Sequence, residues 1–272
     1  YAKPSFFADD LKIVGDVSTP DNCERMQADV NAIAAWSVAN KLPISLDKSA
    51  TLHYGKNNLK WQYVIHQQTM KTESDIMDLG VYRSNTFSYD EHIRRTVLKT
   101  SRMSGMVLKL FSTREAEFLK RIYVAYIRPK LEYASCVWST TSAALNASLE
   151  RIERRFTKRI KGLKDLPYEE RLETLGIQSL AKRRICHDLV LTFKCLHGDM
   201  ALSHESLGLK LSKAATRANG LRLVHYKPRC KTIAQCFPAR VPPIWNSLTS
   251  AVIASRTVTT FKQALSKFYK LK

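Results

Sequence analysis

The fold at the beginning of this chain is decided by residues 3–15, which read KPSFFADDLKIVG. Apolar Phe6-Phe7 leads into Ala8-Asp9-Asp10, and Leu11–Val14 follows with Lys12 between two apolar side chains. Alternation of this kind has the period of a half-buried strand. The stretch therefore predicts a strand, a tight turn and a second strand, with two adjacent aspartates at the tip of the hairpin.

Asp9 and Asp10 suit a metal site better than they suit a stable turn, because two adjacent carboxylates at an exposed tip repel each other. Mg²⁺ is a hard cation that takes carboxylate oxygens together with substrate phosphates. Neighbouring side chains on a strand point to opposite faces. We therefore expect Asp9 to hold the metal directly and Asp10 to support it. Taken without further context, two aspartates at a hairpin more often form a solvated turn, which is the alternative interpretation of the same residues.

A helix is predicted after the hairpin, with Thr19 as its cap, Pro20 in its first turn, and an end near Asn40 because Pro43 follows. Its buried face is predicted from residues about one helical turn apart, namely Met26, Val30, Ile33 and Ser37. Three short runs have strand character: Ala50–Tyr54, Trp61–His66 and Asp78–Arg83.

From about Tyr89 onward the apolar spacing becomes helical. One helix is predicted along Ile93–Phe111, and Ser112 with Glu115 forms a potential capping box for the next. That second helix would bury Phe118, Ile122 and Tyr126 until Pro129 disturbs it. Further helices are predicted over Leu145–Ile160, Leu180–Leu196 and Thr260–Lys270. The fold class is therefore α+β, with strands at the start and helices thereafter.

Charge is distributed unevenly along the chain. Residues 1–93 carry 9 basic and 12 acidic side chains, whereas residues 94–272 carry 35 basic and 12 acidic ones, a net charge of +23. Such an excess fits a surface that neutralises phosphates, and acidic lipids or acidic proteins are the alternatives. One face of the predicted helix Leu145–Ile160 is basic, and we expect it to bind nucleic acid unless it is simply solvated: Arg151, Arg154, Arg155, Lys158 and Arg159.

The cysteine pattern favours a reducing compartment, and the hydropathy of the chain bears on membrane binding. The six cysteines form no CxxC pair, which favours free thiols over disulfides. A zinc site is conceivable at Cys186, His187, Cys195 and His197, but four ligands on one continuous helix cannot close a tetrahedron. The chain has no signal peptide and no apolar run that spans a bilayer, so we expect no membrane partner. Trp36, Trp138 and Trp245 are expected to serve the core rather than to stack on bases.

The residues FADD at 7–10 resemble motif C of reverse transcriptases in the form common among LINE-type (non-LTR) retrotransposons. The stretch from Ala35-Trp36 to Ser45-Leu46-Asp47-Lys48 resembles motif D, and Asp78-Leu79-Gly80-Val81 resembles motif E, the primer grip. Their order and spacing fit the family. The later residues Ile127–Tyr133 and Trp245–Leu248 are similar to the thumb and the C-terminal end of jockey-like elements.

This resemblance implies a partial polymerase palm over residues 1–86, an α-helical thumb over 87–200 and a helical basic C-terminal region over 201–272. It implies two-metal nucleotidyl transfer with Mg²⁺, or with Mn²⁺, held by Asp9 and Asp10. Its implied partners are an RNA template, a DNA primer and the element RNA, in the nucleus and the cytoplasm.

The resemblance also implies roles for four residues outside the hairpin. Lys48 would protonate the leaving pyrophosphate, unless it is an ordinary turn charge. Leu79, Gly80 and Val81 would form the primer grip, where Gly80 either lets the backbone approach the primer or relaxes a strand bend.

Catalysis by these 272 residues alone is not expected. The family's motif A carboxylate and fingers lie upstream of motif C, and the chain begins at Tyr1 rather than at Met. We therefore expect a piece of a longer reading frame that does not polymerise DNA by itself. The alternative function is a non-catalytic nucleic-acid-binding module, either a decayed element copy or one adopted by a host.

Overall fold

A computed structural model describes residues 1–212 and 220–270 of the chain. It combines helices with small sheets, so the coarse α+β class is confirmed. The chain divides into two compact units, unit 1 (Tyr1–Tyr89) and unit 2 (Asp90–Lys272). Unit 1 carries 9 basic and 10 acidic side chains, whereas unit 2 carries 35 and 14, so the positive charge belongs almost entirely to unit 2.

The predicted hairpin is confirmed at the start of unit 1. Strands β1 (Lys3–Phe7) and β2 (Asp10–Val14) pair in antiparallel register, with Phe7 opposite Asp10. The turn is therefore shorter than predicted, because Asp10 already belongs to the second strand. Phe6 and Phe7 remain more than half exposed, so this two-stranded sheet has little core of its own.

Helix α1 (Pro20–Ala39) confirms the helix predicted after the hairpin. The Thr19 hydroxyl accepts a hydrogen bond from the backbone N–H of Asn22 at 3.3 Å, which caps the first turn. Its buried face contains Met26, Val30 and Ser37 as predicted, together with Cys23 and Ala34. Ile33 is only half-buried, because Ala34 occupies the position that faces Ile65 in the small core.

Three further two-stranded sheets complete unit 1. Strand β3 (Ala50–Leu52) pairs in parallel with β6 (Lys71–Glu73). Two hairpins are formed by β4 (Val64–Ile65) with β5 (Gln68–Thr69) and by β7 (Asp75–Asp78) with β8 (Val81–Ser84).

Two of the predicted strands are wrong in their extent. The run Asp78–Arg83 is not one strand, because Leu79 and Gly80 both have positive φ and reverse the chain between β7 and β8. Within Trp61–His66 only β4 is paired, and His66 belongs to a second tight turn. Turns of this type match the twist of the strands that they join. Their positive φ values are energetically unfavourable for residues other than glycine.

Unit 2 is mainly helical in its described residues, apart from the segments 198–212 and 220–230, where Leu211 and Leu223 form an isolated antiparallel bridge. Its helices are α2 (Asp90–Leu110), α3 (Ala116–Ile122), α4 (Arg128–Glu132), α5 (Ser135–Trp138), α6 (Ala143–Thr157), α7 (Tyr168–Leu175), α8 (Leu180–His197), α9 (Lys231–Ala234), α10 (Phe237–Asn246), α11 (Ser250–Ile253) and α12 (Val258–Lys270). The helices predicted along Ile93–Phe111, Leu145–Ile160, Leu180–Leu196 and Thr260–Lys270 are confirmed as α2, α6, α8 and α12, with shifts of a few residues at their ends.

The helix predicted to bury Phe118, Ile122 and Tyr126 buries the adjacent row of side chains instead. The buried row is Leu119, Tyr123, Ile127 and Leu131, and Tyr126 is largely exposed. The predicted capping box is also wrong, because Glu115 starts α3 without a side-chain cap. Tyr123–Ile127 forms a π-helical turn between α3 and α4, directly before Pro129, which lacks the N–H that a regular α-helix would use.

A buried polar cluster holds α6 against its neighbours. The Tyr168 hydroxyl lies 2.6 Å from Oε2 of Glu150 and 2.5 Å from Oε2 of Glu153, and the Tyr123 hydroxyl donates to Oε1 of Glu153 at 2.8 Å. The backbone N–H of Ala181, in the first turn of α8, donates to Glu150 at 2.6 Å. One hydroxyl hydrogen cannot serve two carboxylates at once, so this geometry favours the protonated form of the buried Glu153.

A buried ion pair connects α8 with the C-terminal part of unit 2. The Arg240 guanidinium donates two hydrogen bonds of 2.9 Å to the Asp188 carboxylate and a third, of 2.7 Å, to the carbonyl of Cys136. Both side chains are less than a tenth exposed. The predicted ranges 87–200 and 201–272 therefore share one core, in which Phe193 of α8 stacks on Phe261 of α12.

The Glu153 cluster predicts a pH-dependent stability. Burial, opposed by hydrogen bonds from Tyr168 and Tyr123, raises the pKa of Glu153 to about 7. Its carboxyl keeps a proton in the folded state between its ordinary pKa and 7, so stability falls as pH rises through that window. We expect unit 2 to be more stable at pH 5 than at pH 8, by roughly 3 kcal/mol from this group.

Urea unfolding of the wild type and of Glu153→Gln at both pH values measures this difference. The neutral amide keeps hydrogen-bonding capacity without titrating, so the pH dependence should shrink in the variant. Glu173→Gln, at an exposed position of α7, makes the same chemical change and should leave the dependence intact. An unchanged dependence in Glu153→Gln would contradict the raised pKa of Glu153.

Candidate functional site

The tip of the first hairpin combines strained backbone with exposed carboxylates. The turn between β1 and β2 consists of Ala8 and Asp9, and Ala8 has φ 51°, a region that glycine favours. A residue other than glycine held there costs about 1 kcal/mol or more, and such strain is typical of functional sites. The turn places Asp9 at the tip and Asp10 at the first position of β2.

Asp9 and Asp10 are both exposed, and neither side chain has an ion pair or a hydrogen bond within the part of the chain that the structure describes. Their oxygens are therefore open to a cation. A third ligand is not supplied nearby: the described residues contain no group of three or more His, Cys, Asp or Glu side chains arranged to hold a metal. The pair fits Mg²⁺ chemistry as an incomplete site whose remaining ligands would come from water and phosphates.

Asp78 links this hairpin to the one that contains the predicted primer-grip residues. Its carboxylate accepts hydrogen bonds from Lys12 of β2 at 2.5 Å and from Arg83 of β8 at 2.9 Å. Burial opposes ionisation, but these two cationic donors hold the pKa of Asp78 below its ordinary value. Asp78 thereby fixes the β1–β2 and β7–β8 hairpins to each other, a role that the sequence did not reveal.

The predicted primer-grip residues form the end of the β7–β8 hairpin. Leu79 and Gly80 make the turn with φ values of 47° and 79°, and Val81 is buried at the start of β8. Gly80 thus occupies a turn position with the left-handed backbone conformation that glycine favours. Lys48 lies exposed in the turn 46–48, where its backbone N–H donates to the carbonyl of Ser45 at 3.2 Å. No contact in the described residues joins Lys48 to Asp9 or Asp10.

The predicted basic face of α6 is exposed along its whole length. Arg151, Arg154, Arg155, Lys158 and Arg159 all face solvent, while Leu149, Ile152, Phe156 and Ile160 are buried on the opposite side. Glu153, which lies between these cations in the sequence, is fully buried and does not belong to the face. Only Arg154 has a partner in the described structure: it lies 4.2 Å over the Tyr168 ring and 3.9 Å from Glu169.

A second basic face, missed from the sequence, runs along α2. Its exposed cations recur at helical spacing: Arg94, Arg95, Lys99, Arg102 and Lys109. Exposed Leu98, Met106 and Leu110 lie among them, and Glu91 pairs with Arg95 at 2.6 Å. The apolar stripe of α2 dominated the sequence pattern, but the spacing of the cations was a readable signal. Cations beside apolar side chains suit the backbone and sugars of a nucleic acid.

The residues considered for zinc lie along α8, as the sequence indicated. His187 lies 3.3 Å from the Ser135 hydroxyl, and the His197 ring stacks on Phe193 at 3.9 Å. Of the three tryptophans expected in the core, Trp138 and Trp245 are buried, and Trp245 donates to the carbonyl of Leu221 at 2.9 Å. Trp36 is 54% exposed on α1, so its assignment to the core was wrong.

Metal binding at the hairpin should be weak. Mg²⁺ gives up its waters reluctantly, and one carboxylate pair replaces few of them. Titration of labelled chain with Mg²⁺, followed by NMR, should shift the amides around Asp9 and Asp10 only at millimolar metal. The same titration of Asp9→Asn/Asp10→Asn should lose these shifts, whereas saturation at stoichiometric metal would contradict the incomplete site.

Comparisons with protein-family models, with curated proteins and with solved structures give no match to this chain. Any inference about function therefore rests on the residues of this chain alone. The relevant features are an exposed, strained hairpin with two carboxylates in unit 1 and two exposed basic helix faces in unit 2. No helix within 1–212 or 220–270 is long and apolar enough to cross a membrane.

Proposed function

We propose that this chain binds nucleic acid through unit 2 and is part of an RNA-directed DNA polymerase of a LINE-type retroelement. The observation that carries the proposal is the basic face of α6, where five cations are exposed while both glutamates of the helix are buried. Burying the acids leaves the positive charge of this face almost unopposed. Phosphates are the ligands that such a face attracts most strongly.

The geometry of the face suits a phosphate backbone. Arg151 and Arg155 are one helical turn apart, about 6 Å along the axis, so each can meet a different phosphate. Lys158 and Arg159 extend the row beyond the end of α6. Arginine donates two parallel hydrogen bonds to a phosphate, which fixes the strand in place but carries little sequence information.

The polymerase part of the proposal rests on unit 1. Asp9 and Asp10 sit on a strained tip, and Asp78 ties that tip to the Leu79-Gly80 turn. In an intact polymerase, Asp9 would hold Mg²⁺ or Mn²⁺ with Asp10 in support, and Lys48 would donate a proton to pyrophosphate. Residues 1–86 would be part of the palm, 87–200 the thumb, and 201–272 a basic extension that grips template and primer.

A non-catalytic nucleic-acid-binding module is the second candidate. It is favoured by one observation, the lack of any third metal-ligating side chain beside Asp9 and Asp10 among the described residues. Both candidates require the basic faces of unit 2. They differ only in whether Asp9 and Asp10 bind metal together with further carboxylates.

The affinity for RNA should fall steeply with salt, because each neutralised phosphate releases condensed counterions. Replacement of Arg151, Arg154, Arg155, Lys158 and Arg159 with Gln should flatten the slope of log K against log salt by roughly 3 units if most of them meet phosphates. Filter binding across a salt series measures both slopes.

A matched control removes the same charge from unit 1 by changing Lys3, Lys41, Lys56, Lys60 and Lys71, all exposed, to Gln. This variant should keep a slope near that of the wild type. Equal slopes for the wild type and the α6 variant would mean that the α6 face is ordinary solvated surface, and salt-independent binding would exclude a phosphate contact altogether.

Primer extension on an RNA template should not occur with these 272 residues, in Mg²⁺ or in Mn²⁺. Two metals need carboxylates beyond Asp9 and Asp10 to hold them between primer and nucleotide. A gel assay of labelled primer tests this expectation. Extension by the wild type that disappears in Asp9→Ala would show that the chain is self-sufficient and would contradict the incomplete site.

A further inference from the structure

A shallow groove in unit 1 lies between α1 and the segment that leads into and through the β4–β5 hairpin. It is open to solvent and spans about 640 Å³. The residues that matter for its chemistry are Gln27, Asn31, Trp61, Gln62, His66 and Gln67. A second depression continues it along α1 past Ala35 and Val38 and shares Asn31, His66 and Gln67. No Asp, Glu, Lys or Arg is among the residues that line either part.

One wall of the groove is fixed by a side-chain clamp. The Gln27 amide bonds both backbone groups of Val64: it accepts from the N–H at 3.0 Å and donates to the carbonyl at 2.8 Å. The same Gln27 nitrogen donates to Oδ1 of Asn31 at 2.8 Å. The clamp mimics a strand partner for β4 and holds the hairpin against α1. It also satisfies the Asn31 carbonyl and leaves the Asn31 NH₂ group available.

The other wall is held in a strained conformation. His66 and Gln67 form the two-residue turn of the β4–β5 hairpin with φ values of 48° and 63°. Asn-Gly or Gly-Gly is the favoured sequence for such a turn, and each other residue costs about 1 kcal/mol. Two large polar side chains therefore occupy positions where glycine would be more stable. Both of them line the groove.

The open hydrogen-bonding groups of the groove are amides and an imidazole beside an indole. The side chains of Gln62, His66 and Gln67 have no hydrogen-bond partner in the described parts of the chain. Trp61 is 37% exposed. Amides that offer donors and acceptors together, next to an aromatic ring and without fixed charge, match a flat heterocycle with a mixed donor and acceptor edge.

We propose that this groove binds an unpaired nucleobase of a single-stranded RNA or DNA, stacked on Trp61 and hydrogen-bonded by Asn31, Gln62 and Gln67. The inference rests on the proposed nucleic-acid binding and adds to it a site for a base, whereas the α6 face holds phosphates. A shallow groove suits a base presented by a strand whose backbone stays in solvent. Without charged side chains, the site contributes base-dependent affinity that changes little with salt.

The test compares two strands of equal length on the full chain, a short oligouridylate and its abasic counterpart, by fluorescence anisotropy. The oligouridylate should bind more tightly than the abasic strand. Trp61→Leu should lower that preference about tenfold, the loss expected when one stacked base loses its aromatic platform. Oligodeoxyuridylate replaces the RNA strand in a parallel series and distinguishes an RNA source from a DNA source.

Gln67→Gly separates binding from folding. Glycine relieves the positive φ of the turn, so the variant should melt no lower than the wild type while losing base preference. Tyr126→Leu is the matched control, because Tyr126 is an exposed aromatic residue of unit 2 that does not line the groove. It should leave the preference intact.

The outcomes separate the two proposals. Equal affinity for both strands, or a preference unchanged in Trp61→Leu and Gln67→Gly, would overturn the base site while the salt-dependent binding stands. A base preference in a chain whose binding does not depend on salt would support the groove and overturn the phosphate contact. Lack of binding to either strand at low salt would overturn both.

Discussion

The organisation of unit 2 depends on the Tyr168 hydroxyl placed between the carboxyl groups of Glu150 and Glu153. Two carboxylates buried side by side as anions are costly, so Glu153 has a raised pKa and both groups take hydrogen bonds from neighbouring donors. These hydrogen bonds attach three elements to α6: the π-helical turn through Tyr123, α7 through Tyr168, and the first turn of α8 through the backbone of Ala181. Without these donors α6 would have to turn its acids outward.

The same constraint creates the surface that we assign to nucleic acid. With Glu150 and Glu153 directed inward, every charged side chain that α6 exposes to solvent is an arginine. Asp188 is likewise removed from the surface, because Arg240 neutralises it in the core shared by α8 and α10. Arg240 leaves the surface together with Asp188, and Arg171 and Arg184 are buried as well, so the buried acids change where the charge lies on α6 and not the net charge of the surface. The stability of α6 and its proposed binding therefore have a common origin.

Local patterns in the sequence were sufficient for the elements, and non-local contacts decided the rest. The FADD hairpin, α1, α2, α6 and α8 follow from alternation, caps and helical spacing. The row Phe118, Ile122 and Tyr126 was wrong because the adjacent row through Leu119 is equally apolar, and only packing against α6 and α2 selects it. Asp78, the Gln27 clamp and the Glu153 cluster join residues far apart in the chain, so no local pattern reveals them. The basic face was predicted correctly, although its buried glutamate was not.

The central claim, that buried acids leave the α6 arginines free for phosphates, is tested most directly by arginine footprinting. The full chain is treated with phenylglyoxal with and without bound RNA, and modification is read residue by residue by mass spectrometry. RNA should protect Arg151, Arg155 and Arg159, while Arg25, exposed on α1 of unit 1, should react equally in both samples. Protection spread evenly over all exposed arginines, or unchanged reactivity on α6, would contradict this claim.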